Sequence, residues 1–389
     1  MSVRDRVGSV FKGKEELDLT GGSIPRSLFF LSLPIIVTNM LQVGYNLADT
    51  FWLGRFSTDA LAAISLGFPL VYLFISLGLG LTVAGSVLVA QHTGADQPGE
   101  AEYAASQTVV FTVVAGLVVG GVGFVFIDEL LQVFSAEPGV LTLATEYMRI
   151  ITAGLPFLFG FMVFVALMRG AGDTVTPMVV MFGTVVLNVA LDPVLIFGWG
   201  PFPRMGIEGA GIATVFSRGS AMVVGVWIML RGTHGIRINP RDMWPDPAYI
   251  RRLLRIGAPA SVENTGRAIS INAVLLIVTL FSTPVVAGFG VGIRVFSMIF
   301  MPAIAIDRGV ETMTGQNIGA GKLDRVSKTN RFAAKASFLL LASLGVLTFV
   351  FAPDIIRVFD NTPAVVSEGA TFLRWIAPTF GFVGVLRAY

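Results

Sequence analysis

The first long apolar run of the chain holds a carboxylate. Within QVGYNLADTFWLG (42–54), Asp49 has no charged neighbour until Arg55. Asn39, Gln42, Asn46 and Asp49 follow one another at spacings of 3, 4 and 3 residues. At about 100° per residue in a helix these four share one narrow face, with Tyr45 beside it. A second carboxylate stands in VVLNVALDPVL (185–195), where Asn188 and Asp192 are four residues apart and Pro193 follows. Proline removes a backbone donor and loosens a helix at that point. Carboxylates and amides on a polar stripe can bind and release H⁺ or Na⁺. Two carboxylates in one low-dielectric setting cannot both be ionised cheaply. An ionisable residue inside an apolar span is a functional-site candidate by default. The plainer alternative is hydration, since Asp49 lies only about five residues from the turn that closes its segment.

Composition decides what carries these stripes. The 389 residues are 54% hydrophobic and 13% charged, with a mean hydropathy of +0.77. Soluble domains carry roughly 25% charged residues. Apolar runs long enough to cross a bilayer recur along the whole chain, which predicts an all-α polytopic membrane protein. The weak ten-residue alternation of a membrane β-barrel is absent. There is no cysteine, and His92 and His234 match no metal-ligand spacing. No metal site, cofactor site or nucleophile–base set is evident, which argues against an enzyme. Nothing suggests a nucleic-acid partner.

Ten spans are predicted: 27–53, 60–89, 101–126, 141–168, 174–198, 207–231, 250–280, 284–312, 329–352 and 366–389. Turn residues mark the breaks at GADQPGE (94–100), RGAGDT (169–174) and GAGKLDR (319–325). The polar stretch from Arg231 to Arg252 divides the chain. The expected organisation is a tail (1–26), an N-terminal lobe (27–231), a linker (232–249) and a C-terminal lobe (250–389). The polar N-terminus does not resemble a cleavable leader. Seventeen Lys and Arg fall on the tail and linker side of the spans and three on the other. That bias predicts a cytoplasmic N-terminus in a cell (plasma) membrane.

Shifted by 225 residues, the sequence aligns to itself without gaps. Pro34 meets Pro259, FST (56–58) meets FST (281–283), QHTGA (91–95) meets QNIGA (316–320), and Arg149 meets Arg374. Six helices separate the copies, so both run in the same direction. Such parallel repeats are related by an axis along the membrane normal. Two six-helix lobes are expected, with the second incomplete: helices five and six would recur near 399–456, and the chain ends at Tyr389. Within the repeat, Asn39 keeps its amide as Asn264, but Asp49 becomes Val274. A carboxylate confined to one copy suggests a task confined to one lobe.

The repeated Q-x-x-G-A, RGAGDT after the fourth span and LQVGYNLADTFWLG together resemble the MATE family, the multidrug and toxic compound extrusion transporters. The first-span signature is most similar to the prokaryotic branch named for the DNA-damage-inducible protein F. The resemblance covers essentially the whole chain. It implies a V-shaped pair of lobes, a central cavity and antiport of cationic or amphiphilic organic compounds against H⁺ or Na⁺. It also implies a proton-binding network at the positions matching Tyr45, Asp49, Tyr147, Asn188 and Asp192. Some members place a cation-site Glu in the seventh helix, which would be Glu263. The rival reading of Glu263 is a salt bridge with Arg267, four residues on.

Other residues carry weaker expectations. Pro34 should allow a bend in the first helix. Gln42, Asn46 and Met181 are candidates for the substrate cavity, and Phe161 with them, although helix packing is the commoner role for such apolar residues. Asp307 has Arg308 beside it and Glu311 four residues on, which suggests a structural network. Gln91 and Gln316 are expected to cap their helices, and Gly116 and Gly120 to favour close helix packing. The expected partners are small organic cations, a coupling H⁺ or Na⁺ and membrane lipid, with the chain acting as a monomer. Two alternatives remain. A lipid-linked-sugar flippase would need a strongly basic cavity, for which Arg149, Arg218 and Arg267 are the notable internal cations. A truncated fragment would transport nothing.

Overall fold

The computed structural model describes residues 17–134, 137–278 and 280–387. The first sixteen residues of the expected tail, and the chain end at Tyr389, lie outside the described residues. Among these residues thirteen α-helices follow in order: α1 (Ile24–Phe56), α2 (Thr58–Gly94), α3 (Pro98–Gln132), α4 (Pro138–Ala153), α5 (Leu155–Gly170), α6 (Val175–Phe197), α7 (Ile207–Arg231), α8 (Pro247–Val278), α9 (Thr283–Gly319), α10 (Leu323–Val350), α11 (Ala352–Arg357), α12 (Pro363–Ile376) and α13 (Phe380–Arg387). There is no strand among the described residues.

Among the described residues, eight helical segments are long and apolar enough to cross a membrane, with Pro363–Arg387 counted as one. The α4–α5 pair, bent by 53°, makes a ninth. The bend falls at Gly154, with Pro156 in the first turn beyond it. The seventh expected span corresponds to α8, whose 32 residues give length enough. It falls short on apolarity because Arg251, Arg252, Arg255, Glu263 and Arg267 all lie on it. Large apolar side chains such as Phe124, Phe126, Val186 and Trp227 point outward. That is the inside-out surface of a helix bundle that faces lipid.

The repeat is realised in the element boundaries. α2 and α9 begin and end 225 residues apart, and α3 has the same offset from α10 and α11 taken together. α4 and α12 start at equivalent prolines, and α5 and α13 at equivalent positions. The copies meet reciprocally. Gly94 of α2 lies against the backbone of Gln316, and Gly319 of α9 lies against the backbone of Gln91. A Cβ at either glycine would overlap a carbonyl, so the two Q-x-x-G motifs are matched halves of one contact. Gln316 does not cap its own helix, contrary to the sequence reading. Its Nε2 donates to the Gly170 carbonyl at 3.1 Å, across to the end of α5. The first helix of each copy leans on the other copy: α1 packs on α9, and α8 packs on α2, where Gly80 and Gly257 approach backbone to backbone. Gly116 and Gly120 do support close packing, against Pro156 and the Thr152 carbonyl at the α4–α5 bend.

The Gly94–Gln316 and Gly319–Gln91 contacts lie at the end of the bundle that carries residues 17–23. Asn317 and Arg325 donate to the Leu19 carbonyl there at 3.1 and 3.3 Å. The linker is docked on α3. Gln107 Nε2 donates to the carbonyls of Asp242 and Trp244 at 2.6 and 2.7 Å, and its Oε1 accepts from the Asp246 amide at 3.0 Å. Tyr103 Oη donates to Asp246 at 2.8 Å.

Two predictions follow from this packing. Gly319→Val should destabilise the detergent-solubilised protein by about 1–3 kcal/mol, because overpacking moves backbone. Gly290→Ala, where a Cβ meets open space, should not destabilise it. Thermal unfolding of both variants measures the difference. The Asp246 carboxyl is held below the usual carboxylate range by the Tyr103 hydroxyl first and the Ala248 amide second. Linker docking therefore contributes stability at neutral pH and loses it as pH falls through that lowered value. Tyr103→Phe should flatten this acid-side dependence in a melting-temperature series across pH.

Candidate functional site

The polar stripe of α1 faces protein, as its spacing requires. A cavity of about 480 Å3 runs along it, lined by Asn39, Gln42, Tyr45, Asn46 and Asp49 from this helix. α2 contributes Ile64, Phe68 and Tyr72; α4 and α5 contribute Tyr147 and Phe161; α6 and α7 contribute Met181, Thr214 and Arg218. The volume is that of a small-molecule site. Its body is apolar, with polar groups gathered on the α1 and α7 walls and at a floor that includes Arg169 and Arg308.

Asp49 is not hydrated at a surface. It is 6% exposed, and Asn188 and Asp192 are fully buried behind it. Helix α6 continues through Pro193 and stops at Gly198, whose φ of +74° places it in the left-handed region. Asn188 Nδ2 donates to Asp192 Oδ1 at 3.2 Å. Thr214 Oγ1 donates to Asp49 Oδ2 at 3.4 Å. The Asp49 and Asp192 carboxyls lie within hydrogen-bonding reach of each other. Asp49 Oδ1 and Asp192 Oδ2 have no partner beyond that approach, and the Tyr45 hydroxyl is also unpartnered. Two buried carboxyl groups so placed require a shared proton or a cation, since a bare pair of negative charges in this medium is prohibitive. Tyr147 is buried against the same group. The fold therefore brings together Tyr45, Asp49, Tyr147, Asn188 and Asp192, which are spread over three helices.

The residue that sequence reasoning undervalued is Arg218. Its guanidinium is buried and lies 4.5 Å from the Tyr45 ring centroid and 5.3 Å from that of Phe161. Nη2 donates to Gln42 Oε1 at 2.6 Å, and Nη1 to Met181 Sδ at 3.4 Å. Gln42 Nε2 passes the chain on to Asn46 Oδ1 at 3.1 Å. Gln42, Asn46 and Met181 thus line the cavity, with Gln42 and Met181 holding Arg218 and Asn46 holding Gln42. The signal available in sequence was an arginine in an otherwise apolar stretch, ATVFSRGSAMVV, without a partner in reach along its own helix.

The other expected internal cations are corrected. Arg149 is half exposed and pairs with Asp128 at 2.7 Å. Arg267 pairs with Glu263 at 3.1 Å, and the Glu263 side chain is 70% exposed. For Glu263 this geometry is the salt-bridge alternative, not an enclosed cation site. No cluster of three metal-ligating side chains occurs among the described residues. Arg169, read from sequence as a loop residue, ends α5 and lines the cavity floor with Arg308. Arg308 pairs with Glu311 at 2.7 Å, and Arg387 lies 3.8 Å from Asp307, which is the structural network expected there. Pro34 sits inside the unbroken α1, and Thr38 Oγ1 donates to its carbonyl at 2.8 Å.

Known proteins are similar to this chain in sequence and fold. The MatE family model matches residues 34–194 and 259–388, one segment in each copy of the repeat. The chain is similar to YoeA of Bacillus subtilis (strain 168), a probable multidrug resistance protein, with 30% identity over 94% of this chain and 81% of that one. It is similar to an FAD transporter of Shewanella oneidensis, with 27% identity over 96% of this chain and 82% of that one. Among solved structures, an outward-facing multidrug resistance MATE family transporter of the MOP superfamily superposes with a TM-score of 0.85. The identity is 25%, over 97% of this chain and 84% of that one.

The Asn188–Asp192 bond yields a stability prediction. Asn188→Val removes the donor to a fully buried carboxyl and should cost about 1–3 kcal/mol. Thermal unfolding in detergent checks this, and an unchanged midpoint would show that the bond carries no weight.

Proposed function

The chain belongs to the MatE family, a multi-pass membrane transporter and not an enzyme, and from that premise we propose that it exports organic amphiphiles, cationic ones included, in exchange for H⁺ or Na⁺. The observation that carries the proposal is the Asp49–Asp192 carboxyl pair. It is buried beside the cavity wall, and each carboxyl keeps one oxygen unpartnered. A coupling ion arriving there neutralises the pair and changes what Thr214, Asn188 and Tyr45 can bond to. The ion then stabilises one arrangement of the lobes over the other to the extent that it binds that arrangement better. The working orientation places the tail and linker in the cytoplasm of a plasma-membrane protein. The reciprocal Gly94–Gln316 and Gly319–Gln91 contacts then close the cytoplasmic side, and the cavity is served from outside. Where the exchange moves one net charge, 100 mV supplies about 2.3 kcal/mol, enough to drive accumulation by tens of fold; one-for-one exchange with a monovalent cation moves none and draws on the ion gradient alone.

The test uses the full chain in proteoliposomes, with pH and Na⁺ gradients imposed separately and efflux of a fluorescent amphiphile followed. Wild type should respond to one of the two gradients. Asp49→Asn and Asp192→Asn should each abolish that response while the melting temperature stays near wild type. Undiminished gradient-driven efflux by Asp49→Asn would sink the proposal.

A further inference from the structure

Arginines outnumber carboxylates on the lining of the cavity and set its charge. Arg169, Arg218 and Arg308 all line it, against one carboxylate, Asp49. On the floor, Glu311 interacts with both Arg308 and Arg169, but only Arg308 is within ion-pair distance of it. Arg169 Nε has no hydrogen-bond partner. On the wall, the direct contacts of Arg218 are all to neutral groups, an amide oxygen, a thioether sulfur and two aromatic rings, with Asp49 acting on it only across a distance. No carboxylate among the described residues reaches it within ion-pair distance. A buried guanidinium without a direct ion pair is costly to maintain for packing alone.

We infer that Arg218 is a specificity-determining residue, and that the cavity selects amphiphiles carrying a carboxylate or phosphate group, zwitterions included. The geometry suits the task. The guanidinium carbon lies over the rings of Tyr45 and Phe161, and Nη2 donates to the neutral Gln42 oxygen, which a charged oxyanion binding bidentately would replace with a stronger acceptor. Nη1 is spent on a thioether, a weak acceptor that an oxyanion would displace at little loss. The apolar walls at Ile64, Phe68 and Met162 take the body of the molecule. A cationic part finds Asp49 on the neighbouring wall, so an amphiphile bearing both charges meets a partner for each. This inference rests on the export reading, in that the cavity is the path of the exported compound.

The experiment separates the two. Binding to the purified full chain in detergent, with no gradient, is measured by fluorescence polarisation of a rhodamine-type dye. The dye is used as its free carboxylic acid and as its ethyl ester, which share the cationic ring system. Wild type should bind the acid about tenfold or more tightly than the ester, the scale of a charge-assisted hydrogen bond. Arg218→Gln should abolish the preference while the ester still binds, which also reports a folded cavity. If Arg218→Gln binds neither dye, Arg218→Lys decides: it keeps the charge and should keep part of the preference, and loss of the preference there overturns the inference. Equal or tighter binding of the ester by wild type, or an intact preference in Arg218→Gln, overturns it as well. A wild type that prefers the acid but responds to neither gradient counts against the coupling proposal and leaves this one standing.

Discussion

A carboxyl group inside an apolar bundle has to be solvated by protein, and that constraint organises the N-terminal half. Each ionised group left without partners in such a medium costs several kcal/mol. Asp49 and Asp192 are accordingly met by Thr214, Asn188 and one another, and the buried cation Arg218 is met by amide, sulfur and ring faces. Four helices have to hold register for this to work. α1 presents its stripe, α6 its Asn–Asp pair, and α7 its threonine and arginine, while Tyr147 of α4 closes the group from the remaining side. The apolar cores on either side of the cavity fix those registers. One contains Phe161, Phe164 and Met181, the other Tyr147, Met148 and Phe159.

Duplication explains the frame, and divergence explains the chemistry. Boundaries recur at one offset, and the Q-x-x-G segments of the two copies bury each other's backbone. Selection on such a contact acts on both halves together, because each glycine faces the other copy's glutamine. The coupling stripe is under no such bond. In the second copy its positions hold Arg267, Ser270 and Val274 where the first has Gln42, Tyr45 and Asp49. Arg267 turns to an exposed pair with Glu263. The two lobes thus share a skeleton, and one of them carries the ionisable pair.

Much of this was legible in the residue order. The helical spacing of Asn39, Gln42, Asn46 and Asp49 put them on one face, and a polar face in an apolar helix has to find protein or water. The offset of the repeat was legible because helix ends are set locally, by proline and glycine and by the apolar run between them. The bend at Gly154 was hidden, since the fourth span reads as one apolar stretch. The role of Gln316 was hidden as well, because capping and crossing to another helix use the same amide.

Sequence by itself determined the helices, their repetition and the faces on which the carboxylates lie, because these follow from periodicity and from the cost of polar groups in lipid. Only the tertiary structure decided which cation enters the cavity. Arg149, Arg169, Arg218 and Arg267 are all arginines within or at the ends of apolar spans. Their fates diverge with what stands across from each in space: Asp128, the floor cluster around Glu311, the rings of Tyr45 and Phe161, and Glu263. All but the last of these partners belong to other helices, so no spacing along the chain could assign them.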